Sequence, residues 1–306
     1  MTRTRNLKQV VAATLVASLV LAGCSGGEDT TGVSGDITTL RVGLIPNIAP
    51  EEQRAKYAPF GEYLEEQLGV TVELFVASDY AGVVTALANG QLDLAYLGGL
   101  TYLQANEQVE LVPLVTEVDR ETGTTAYYSA IVVPDASPLQ NLSDLLNADA
   151  ILALGDVAST SGSLYPRSMI IDAGATCSLR QLDSCPPLRQ VVFTGGHDAA
   201  AQAVLAGSAD AAGMELRILR RLERDGAVPT GALRVIAQEP VEGYPWVARA
   251  ALGADVHDAI RQVFLGITDP VLLDLLRAES YVAIDASAYA DMRERAAAFG
   301  LLTVTN

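Results

Sequence analysis

From Leu40 onward, short apolar segments alternate with segments in which apolar residues recur at the spacing of a helix, and few folds have that order. Apolar runs of strand length are separated by stretches whose apolar positions recur every three or four residues. The predicted elements in chain order are strand 40–46, helix 51–68, strand 70–76, helix 80–88 and strand 92–97. Because helices connect consecutive strands, the pattern predicts a parallel sheet with crossover helices, and therefore an α/β fold.

The same alternation restarts at Tyr127. The second set of predicted elements is strand 127–134, helix 142–146, strand 151–154, helix 162–173, strand 191–193, helix 197–206, strand 209–214, helix 216–222 and strand 233–236. A strand at 246–249 and helical segments at 255–276 and 286–299 follow, and Trp246 is expected to be a core residue. We expect this last part to rejoin the first unit. Two lobes joined by two crossings would then close on a ligand by hinge motion.

The N-terminus has the features of an export signal. Arg3, Arg5 and Lys8 precede an apolar run at residues 10–21 that is too short to span a bilayer. The run leads into Leu-Ala-Gly-Cys, which resembles the lipobox of bacterial lipoproteins and implies that Cys24 is lipidated. Two or more acyl chains anchor a protein stably, so we expect the chain on the extracytoplasmic face of the cell membrane. A plain secretory signal with a chance cysteine is the alternative.

Residues 1–23 are therefore the predicted signal peptide, and residues 24–38 are a predicted flexible tether of low apolar content. Removal of the signal peptide takes away three basic residues and no acidic ones, so the formal charge changes from −17 to about −20. A strongly acidic body argues against nucleic acid as a partner, since its phosphates need a basic surface. The negative net charge of the protein does not exclude a small anionic ligand, because local backbone N–H groups bind anions whatever the net charge.

Two cysteines remain besides Cys24, namely Cys177 and Cys185, eight positions apart. In an oxidising compartment this even pair is expected to form a disulfide around a structural loop. A zinc site is the alternative, but no histidine lies near the pair in sequence.

Three consecutive hydroxyl residues, Ser159, Thr160 and Ser161, lie between the strand at 151–154 and a helix that begins at Gly162. The free N–H groups and the positive dipole end of a helix N-terminus attract anions. The hydroxyls add uncharged donors for several oxygens of a tetrahedral anion. An ordinary N-cap with a Ser/Thr cluster is the alternative interpretation of this turn alone.

Three other segments reach the same edge of the predicted sheets. Tyr80 begins a helix after a strand, Tyr96 ends a strand, and His197 opens a helix after the strand at 191–193. Ligands of open α/β sheets collect at the carboxyl ends of the strands. The convergence of these segments with the hydroxyl turn favours a binding site over an ordinary cap.

From about Leu40 to Leu276 the chain resembles the PhnD family of phosphate-, phosphite- and phosphonate-binding proteins of ABC transporters. The resemblance is carried by Ser-Asp-Tyr-Ala-Gly at 78–82, Leu-Ala-Tyr-Leu-Gly at 94–98, Ser-Thr-Ser-Gly at 159–162 with Pro166, Gly-His-Asp at 196–198 and Asp-Ala-Ala-Gly at 210–213. It implies the type II periplasmic-binding-protein fold, with two α/β lobes joined by a two-segment hinge. Residues 39–130 with 241–306 are then expected to form lobe 1, and residues 131–240 lobe 2.

The resemblance also implies which side chains bind the ligand. Ser159, Thr160 and Ser161 are expected to hold the phosphonyl oxygens, joined by Tyr80 and His197. The other expected ligand-binding residues are Tyr96, Glu215 and Tyr244.

Two positions depart from the pattern of some family members. Leu97 stands where some have a tyrosine, and Tyr244, before Pro245, stands where some have an acidic residue. In aminophosphonate receptors that acid helps to bind the ammonium group of the ligand. Glu215 is expected to take the position of another carboxylate facing this end, and an alignment shifted by two residues is the alternative. The apolar Leu97 and the uncharged Tyr244 argue against an aminoalkylphosphonate. Phosphite, phosphate, methylphosphonate or another small phosphonate stays open.

An enzyme is not expected. Ser161, His197 and Asp198 lack the Gly-x-Ser-x-Gly elbow and the separated base and orienting acid of a hydrolase triad. No spacing of His, Cys or acidic residues predicts a metal site, and no glycine-rich loop predicts a dinucleotide, so we expect neither metal nor cofactor.

Other charged residues are expected to be solvated. His257 begins a predicted surface helix beside two aspartates. The stripe of Arg217, Arg220, Arg221 and Arg224 lies on one helical face, where pairing with nearby acids is expected and a contact with the permease is the alternative.

The expected partners are a small phosphorus oxyanion, the permease and ATPase subunits of an ABC importer, and the membrane through Cys24. The chain is expected to be a monomer. A lipid-anchored sensor that presents the ligand to a membrane kinase is one alternative, and a receptor for a different small anion is another. Neighbouring genes would distinguish import from sensing.

Overall fold

A computed structural model describes residues 37–178 and 181–302. The predicted signal peptide (residues 1–23), Cys24 and most of the predicted tether lie outside the described residues. Within the described ranges, no helix has the length and apolar character needed to cross a bilayer.

The elements keep the alternating order along the chain. The strands are β1 (Thr39–Leu44), β2 (Thr71–Val76), β3 (Leu94–Tyr96), β4 (Leu111–Asp119), β5 (Tyr127–Pro134), β6 (Ile151–Leu154), β7 (Gln190–Phe193), β8 (Ala211–Glu215), β9 (Leu233–Val241), β10 (Trp246–Arg249) and β11 (Ala278–Ala283). The α-helices are α1 (Pro50–Leu68), α2 (Tyr80–Ala88), α3 (Gly99–Asn106), α4 (Leu142–Asn147), α5 (Tyr165–Asp172), α6 (His197–Leu205), α7 (Leu216–Arg224), α8 (Ala254–Leu265), α9 (Pro270–Leu275) and α10 (Ala290–Ala298). Short helices of other types occupy Thr160–Leu164 (a π-helix), Ala250–Leu252 and Ala286–Tyr289.

The strands form two sheets. The first has the order β11-β4-β10-β3-β1-β2, and the second has the order β7-β6-β8-β5-β9. β1 is parallel to β2 and β3, and β6 is parallel to β7 and β8, as strands joined by crossover helices require. β10 lies between β3 and β4, antiparallel to both, so the C-terminal part rejoins the first sheet. The lobe boundaries predicted at 130–131 and 240–241 fall within β5 and β9 and stay a prediction.

The predicted helix at 51–68 is observed as α1, and its ends follow from local chemistry. Pro50 lies in the first turn, where a missing N–H leaves no hydrogen bond unmade. Gly69 ends the helix in the left-handed conformation (φ 68°), and its N–H donates to the Glu65 carbonyl.

The helix predicted at 162–173 begins differently. Its first turn is the π-helix, in which the Leu164 N–H donates to the Ser159 carbonyl, and α5 follows. Pro166 has no N–H to give to the Gly162 carbonyl, as an α-helix would require. That carbonyl accepts instead from the Gly155 N–H at 2.9 Å, which ties the turn to the end of β6.

Other elements differ from the prediction. α3, β4 and β11 were not predicted, and the helical segment predicted at 255–276 divides into α8 and α9 at Gly266 and Pro270. β9 extends through Pro240, beyond the predicted strand end at residue 236. β9 is an edge strand, where a residue without an N–H is tolerated because one side of the strand has no partner.

Trp246 lies in the core of the first sheet, as expected, and is fully buried. Its ring centroid is 5.0 Å from that of Phe60, 4.9 Å from Tyr96 and 4.8 Å from Phe264. These tilted aromatic contacts join α1 and α8 to the sheet and fix the position of Tyr96 at the end of β3.

The Cys177 and Cys185 sulfurs are bonded to one another at 2.10 Å. Cys185 is buried in a hydrophobic cluster with Val191 and Ile170, so the bridge attaches this loop to the second sheet. Residues 179–180 within the loop lie outside the described ranges.

Asp93 ties three strands of the first sheet together. Its carboxylate accepts from Arg41 Nε and Nη2 and from Arg249 Nη2, each at 2.8 Å. Burial alone would raise the pKa of Asp93, but hydrogen bonds from the two arginines outweigh it and lower the pKa.

Asp93→Asn is therefore expected to lower the free energy of unfolding by about 2 kcal/mol at neutral pH, because hydrogen bonds between charged groups are lost. The lowered pKa makes this contribution complete above the ordinary aspartate pKa, and it disappears as the pH falls through the folded-state value. Urea denaturation of both proteins between about pH 3 and 7 checks this. The exposed Asp255→Asn is the control; a difference for Asp93→Asn that does not depend on pH would contradict the assignment.

Candidate functional site

Loops at the carboxyl ends of strands from both sheets meet at one buried polar site. From the first sheet come Asn47, after β1, and Tyr80, at the start of α2. From the second come the turn at 159–161, His197 at the start of α6, and Glu215 at the end of β8. All of these residues are buried, with relative exposures of 2% or less.

The three hydroxyl residues of the turn differ in what they contact. Ser159 is the N-cap of the π-helix, and its Oγ accepts from the Gly162 N–H at 3.0 Å. Thr160 Oγ1 accepts from the N–H of Leu100 at 2.9 Å, so it joins the turn to α3. Ser161 Oγ is buried with no hydrogen-bond partner. Because a hydroxyl that accepts a hydrogen bond keeps its own proton, all three side chains of the turn can donate to an outside acceptor.

Gly162 allows His197 to approach this turn. A Cβ at position 162 would lie 2.8 Å from His197 Cε1 and 2.8 Å from Ser159 Oγ, closer than side-chain atoms pack. The imidazole therefore lies directly against the backbone of the hydroxyl turn, in contact that a larger residue would prevent.

His197 presents an uncharged N–H donor. Its Nδ1 accepts from the backbone N–H of Glu215 at 3.2 Å, which leaves the proton on Nε2. Burial lowers the pKa of His197 to about 4, so the ring is neutral at physiological pH. Nε2 itself is buried with no hydrogen-bond partner.

Several other buried polar atoms also lack a partner, although such atoms are nearly always hydrogen-bonded in proteins. They include both amide atoms of Asn47 and the hydroxyl oxygens of Ser161, Ser163 and Tyr127. The backbone carbonyl of Asn47 accepts from the backbone N–H of His197 at 3.2 Å, so Asn47 lies next to the first residue of α6. Hydroxyl, amide and imidazole donors of this kind match the acceptor oxygens of an anion.

Tyr80 borders the turn from the first sheet. Asp79 caps α2 by accepting from the Gly82 N–H at 2.8 Å, and the Tyr80 N–H donates to Asp156 at 3.3 Å. Burial raises the pKa of the Tyr80 phenol well above its ordinary value, although hydrogen bonding to Ser159 opposes part of the shift. The phenol is therefore a neutral donor at every physiological pH.

Glu215 is held by three side chains. Its Oε1 accepts from Arg217 Nε at 2.7 Å and from Arg277 Nη1 at 3.1 Å, and its Oε2 accepts from the Tyr244 hydroxyl at 2.6 Å. Burial would raise the pKa of Glu215, but the charges of the two arginines outweigh it and lower the pKa to about 2. Both carboxylate oxygens are thus engaged within the protein.

Tyr96 belongs to the same cluster. Its hydroxyl donates to Glu117 Oε1 at 3.3 Å and accepts from Arg277 Nη2 at 2.9 Å, and its ring stacks on Tyr244 with centroids 5.1 Å apart. Arg217 Nη2 donates to the same Glu117 oxygen at 3.1 Å. We call Tyr96, Glu117, Glu215, Arg217, Tyr244 and Arg277 the charge cluster.

The predicted site residues thus occupy two adjoining places. Ser159, Thr160, Ser161 and His197 lie together at the turn, with Tyr80 beside them. Tyr96, Glu215 and Tyr244 lie in the charge cluster, which meets the turn through the Glu215–His197 hydrogen bond.

Sequence reasoning missed Asn47, Glu117 and Arg277. Asn47 follows β1, and the rule that ligands collect at carboxyl ends of strands could have found it. Glu117 and Arg277 carry no local signal, because β4 and β11 were not predicted.

Two expectations about charged residues were wrong. Arg217 and Arg221 are buried, at 8% and 7% exposure, although the helical stripe was expected to be solvated. His257 is also buried at 7% exposure, and its Nε2 lies 2.9 Å from the Arg249 carbonyl. Tertiary packing against the first sheet covers these faces, which the polar residue types alone do not reveal.

The residues at 37–178 and 181–302 contain no group of three or more His, Cys, Asp or Glu side chains arranged to hold a metal ion.

The chain matches a family model described as "ABC transporter, phosphonate, periplasmic substrate-binding protein" over residues 42–289. It is 29% identical over 262 residues to the phosphate-import protein PhnD of Mycolicibacterium smegmatis, which is 84% of this chain and 81% of that protein. It is also 29% identical over 229 residues to the phosphonates-binding periplasmic protein of Escherichia coli, covering 74% of this chain and 65% of that protein.

Solved structures have the same fold. PhnD1 of Prochlorococcus marinus in complex with methylphosphonate superposes with a TM-score of 0.75 at 23% identity, covering 87% of this chain and 99% of that one. The binding protein component of an ABC phosphonate transporter from Pseudomonas aeruginosa superposes with a TM-score of 0.74 at 21% identity, covering 87% of both chains. These likenesses confirm the predicted type II periplasmic-binding-protein fold.

Gly162→Ala is expected to weaken binding of phosphate or methylphosphonate at least tenfold, because the new Cβ displaces the His197 ring or Ser159 Oγ. Gly155→Ala is the matched control: a Cβ there meets its nearest atom at 3.8 Å, an ordinary contact. Isothermal titration calorimetry compares the two variants with the unaltered protein. Equal affinity in all three proteins would show that the close approach of His197 to the turn does not matter for binding.

Proposed function

This chain belongs to the family of periplasmic substrate-binding proteins of phosphonate ABC transporters, and we propose that it captures a small phosphorus oxyanion for import. The observation that carries the proposal is the set of buried, uncharged donors around the hydroxyl turn. Ser161 Oγ and His197 Nε2 are buried without a partner in the protein, next to the first turn of a helix. A tetrahedral oxyanion supplies the acceptors that these groups and the free helix N–H groups lack.

The charge cluster supports a ligand without an ammonium group. The carboxylates of Glu215 and Glu117 are paired with two arginines, Arg217 and Arg277, so the cluster has no net negative charge left over for a ligand cation. Tyr244 itself adds no negative charge, since burial raises the pKa of its phenol. We therefore infer that the ligand is phosphate, phosphite or a small alkylphosphonate such as methylphosphonate.

The ligands named for several relatives support the same set of candidate ligands. The Mycolicibacterium relative is named for phosphate import, and a Prochlorococcus marinus relative, 25% identical over 272 residues, is named as a probable phosphite-binding protein. The related structure from that organism holds methylphosphonate. Each of these ligands is a small tetrahedral oxyanion without a cationic end. The relatives are named as binding or import proteins, which also supports a receptor and not an enzyme.

The two proposed lobes, residues 39–130 with 241–306 and residues 131–240, enclose the ligand between them. Hydrogen bonds that cross between the lobes support this. The Ala49 N–H donates to Asp198 Oδ2 at 3.2 Å, and Thr101 Oγ1 donates to the Ala158 carbonyl at 3.0 Å. Both bonds lie near the hydroxyl turn or His197, so ligand binding and lobe closure are expected to favour one another.

We further infer that the receptor is held at the membrane by lipid on Cys24 and acts as a monomer with a permease and an ATPase. The support is the Leu-Ala-Gly-Cys sequence after the apolar run, together with membership of an ABC-transporter family. The mass of the N-terminal peptide of the mature protein tests the anchor: a diacylglyceryl group on Cys24 is expected, and an unmodified cysteine would contradict it.

A thermal-shift panel tests the ligand class. Phosphate, phosphite and methylphosphonate are compared with aminoethylphosphonate, sulfate and nitrate, and a ligand that binds the folded state raises the melting temperature. At least one of the first three is expected to produce the largest shift. A response confined to sulfate or nitrate, or a largest shift with aminoethylphosphonate, would contradict the proposal.

Ser161→Ala is expected to weaken binding of the best ligand roughly ten- to a hundredfold, since one hydrogen bond to a charged acceptor is worth about 1.5–3 kcal/mol. Its stability should change less than its affinity, because within the protein Ser161 Oγ interacts only with the Tyr127 hydroxyl among the described side chains. The control is Ser143→Ala, which removes an exposed hydroxyl from α4. Calorimetry that finds equal affinity for Ser161→Ala and Ser143→Ala would remove the hydroxyl turn from the site.

A further inference from the structure

A cavity lies between α7 and the first sheet, apart from the hydroxyl turn. It has a volume of about 160 Å³, whereas a single water needs roughly 10–15 Å³. Its walls come from α7 of the second sheet, from the end of β4 and from the residues around α9 of the first sheet. Six arginines line it: Arg120, Arg217, Arg220, Arg221, Arg224 and Arg277. We call this space the arginine cavity.

The three carboxylates that line the cavity are already paired. Asp274 contacts Arg120 at 3.0 Å and Arg224 at 3.6 Å. Glu121 pairs with Arg220, and Asp119 lies 3.6 Å from Arg217 Nη1. Arg277 has its own partner in Glu215, which belongs to the charge cluster.

Arg221 is left without a carboxylate. Among the described residues no acidic oxygen lies within ion-pair distance of it, and it is 7% exposed. Its Nε and Nη2 are buried without a hydrogen-bond partner, as are Arg277 Nε and Arg217 Nη1. Burial lowers the pKa of Arg221, and the neighbouring charge of Arg277 lowers it further. An uncompensated buried cation is costly, so the arrangement calls for an anion from outside the chain.

We propose that the arginine cavity is a second anion site, which binds a small tetrahedral oxyanion of the phosphate class through Arg221 with Arg277 and Arg217. It is distinct from the site at the hydroxyl turn, because neither the turn nor His197 lines it. The proposal goes beyond the proposed import function and does not depend on which oxyanion that site prefers.

A small ion fits better than an acidic partner protein. Arg221 lines the cavity without an acidic partner, whereas Arg220 and Arg224, which also line it, are about half exposed and are already paired. An anion bound there would bridge α7 to the first sheet and so hold the two lobes together. The chain as a whole has a net charge of −17. The arginine cavity would therefore be a local positive region that concentrates phosphate at the boundary between the lobes.

Equilibrium dialysis with radiolabelled inorganic phosphate at low ionic strength tests the proposal. Arg221→Met is expected to bind one phosphate per chain fewer than the unaltered protein, while any tight site keeps its dissociation constant within twofold. Arg189→Met is the control, because it removes the same charge from an exposed side chain far along the second sheet. Ser161→Ala is expected to retain the phosphate of the arginine cavity. The loss of one bound phosphate in Arg221→Met can therefore be distinguished from a failure of the hydroxyl-turn site to bind phosphate.

Circular dichroism and thermal melting check that the Arg221→Met protein is folded. In phosphate-free buffer it should melt no lower than the unaltered protein, since the change removes an unpaired buried charge. An unchanged phosphate stoichiometry, or an equal loss in Arg189→Met, would overturn the proposal. A lower melting temperature in phosphate-free buffer would do the same, because it would show that Arg221 is satisfied within the protein.

Discussion

Glu215 links the polar groups of this protein through its backbone and its carboxylate. Its N–H donates to His197 Nδ1 and so sets which nitrogen of that ring carries the proton. Its side chain accepts from Arg217, Arg277 and Tyr244 and so fixes the charge cluster behind the ring. If Glu215 moved, His197 would lose the bond that aims its free N–H, and two buried arginines would lose a counterion. The orientation of the His197 ring at the hydroxyl turn and the burial of the arginines therefore depend on one residue at the end of β8.

This arrangement explains how an acidic chain can hold an anion. The groups nearest to the proposed ligand, namely Ser161, His197 and the first N–H groups of the helix, are dipoles without net charge. They need no counterion when no ligand is present, and a helix N-terminus favours negative charge by its own dipole. The charged residues lie one layer farther away and largely neutralise one another through Glu215 and Glu117. Selection against a cationic ligand end then follows from this neutralisation, because the cluster carries no net negative charge to attract a cation.

Much of the fold and the nearer part of the site could be predicted from local sequence. Alternating strand and helix signals place the hydroxyl turn and His197 at carboxyl ends of strands, and that rule holds for any chain of this pattern. The charge cluster could not be found this way. Arg217 contacts Glu117, 100 positions away, and Arg277 contacts Glu215, 62 positions away. A buried arginine and a solvated one look alike in sequence, because burial depends on the partner that another strand brings. Pro166 shows the same limit on a smaller scale, since its effect on the turn depends on the Gly155 N–H.

The state of the His197 ring tests the central claim most directly. The chain has two histidines, so the ring ¹⁵N spectrum of histidine-labelled protein resolves both. At neutral pH His197 is expected to carry its proton on Nε2, with Nδ1 unprotonated, and to keep this state down to about pH 5. Addition of the best phosphorus oxyanion should shift the Nε2 proton of His197 and leave His257 unchanged. A His197 ring that titrates near its ordinary pKa of about 6.5, or that ignores the ligand, would contradict the account.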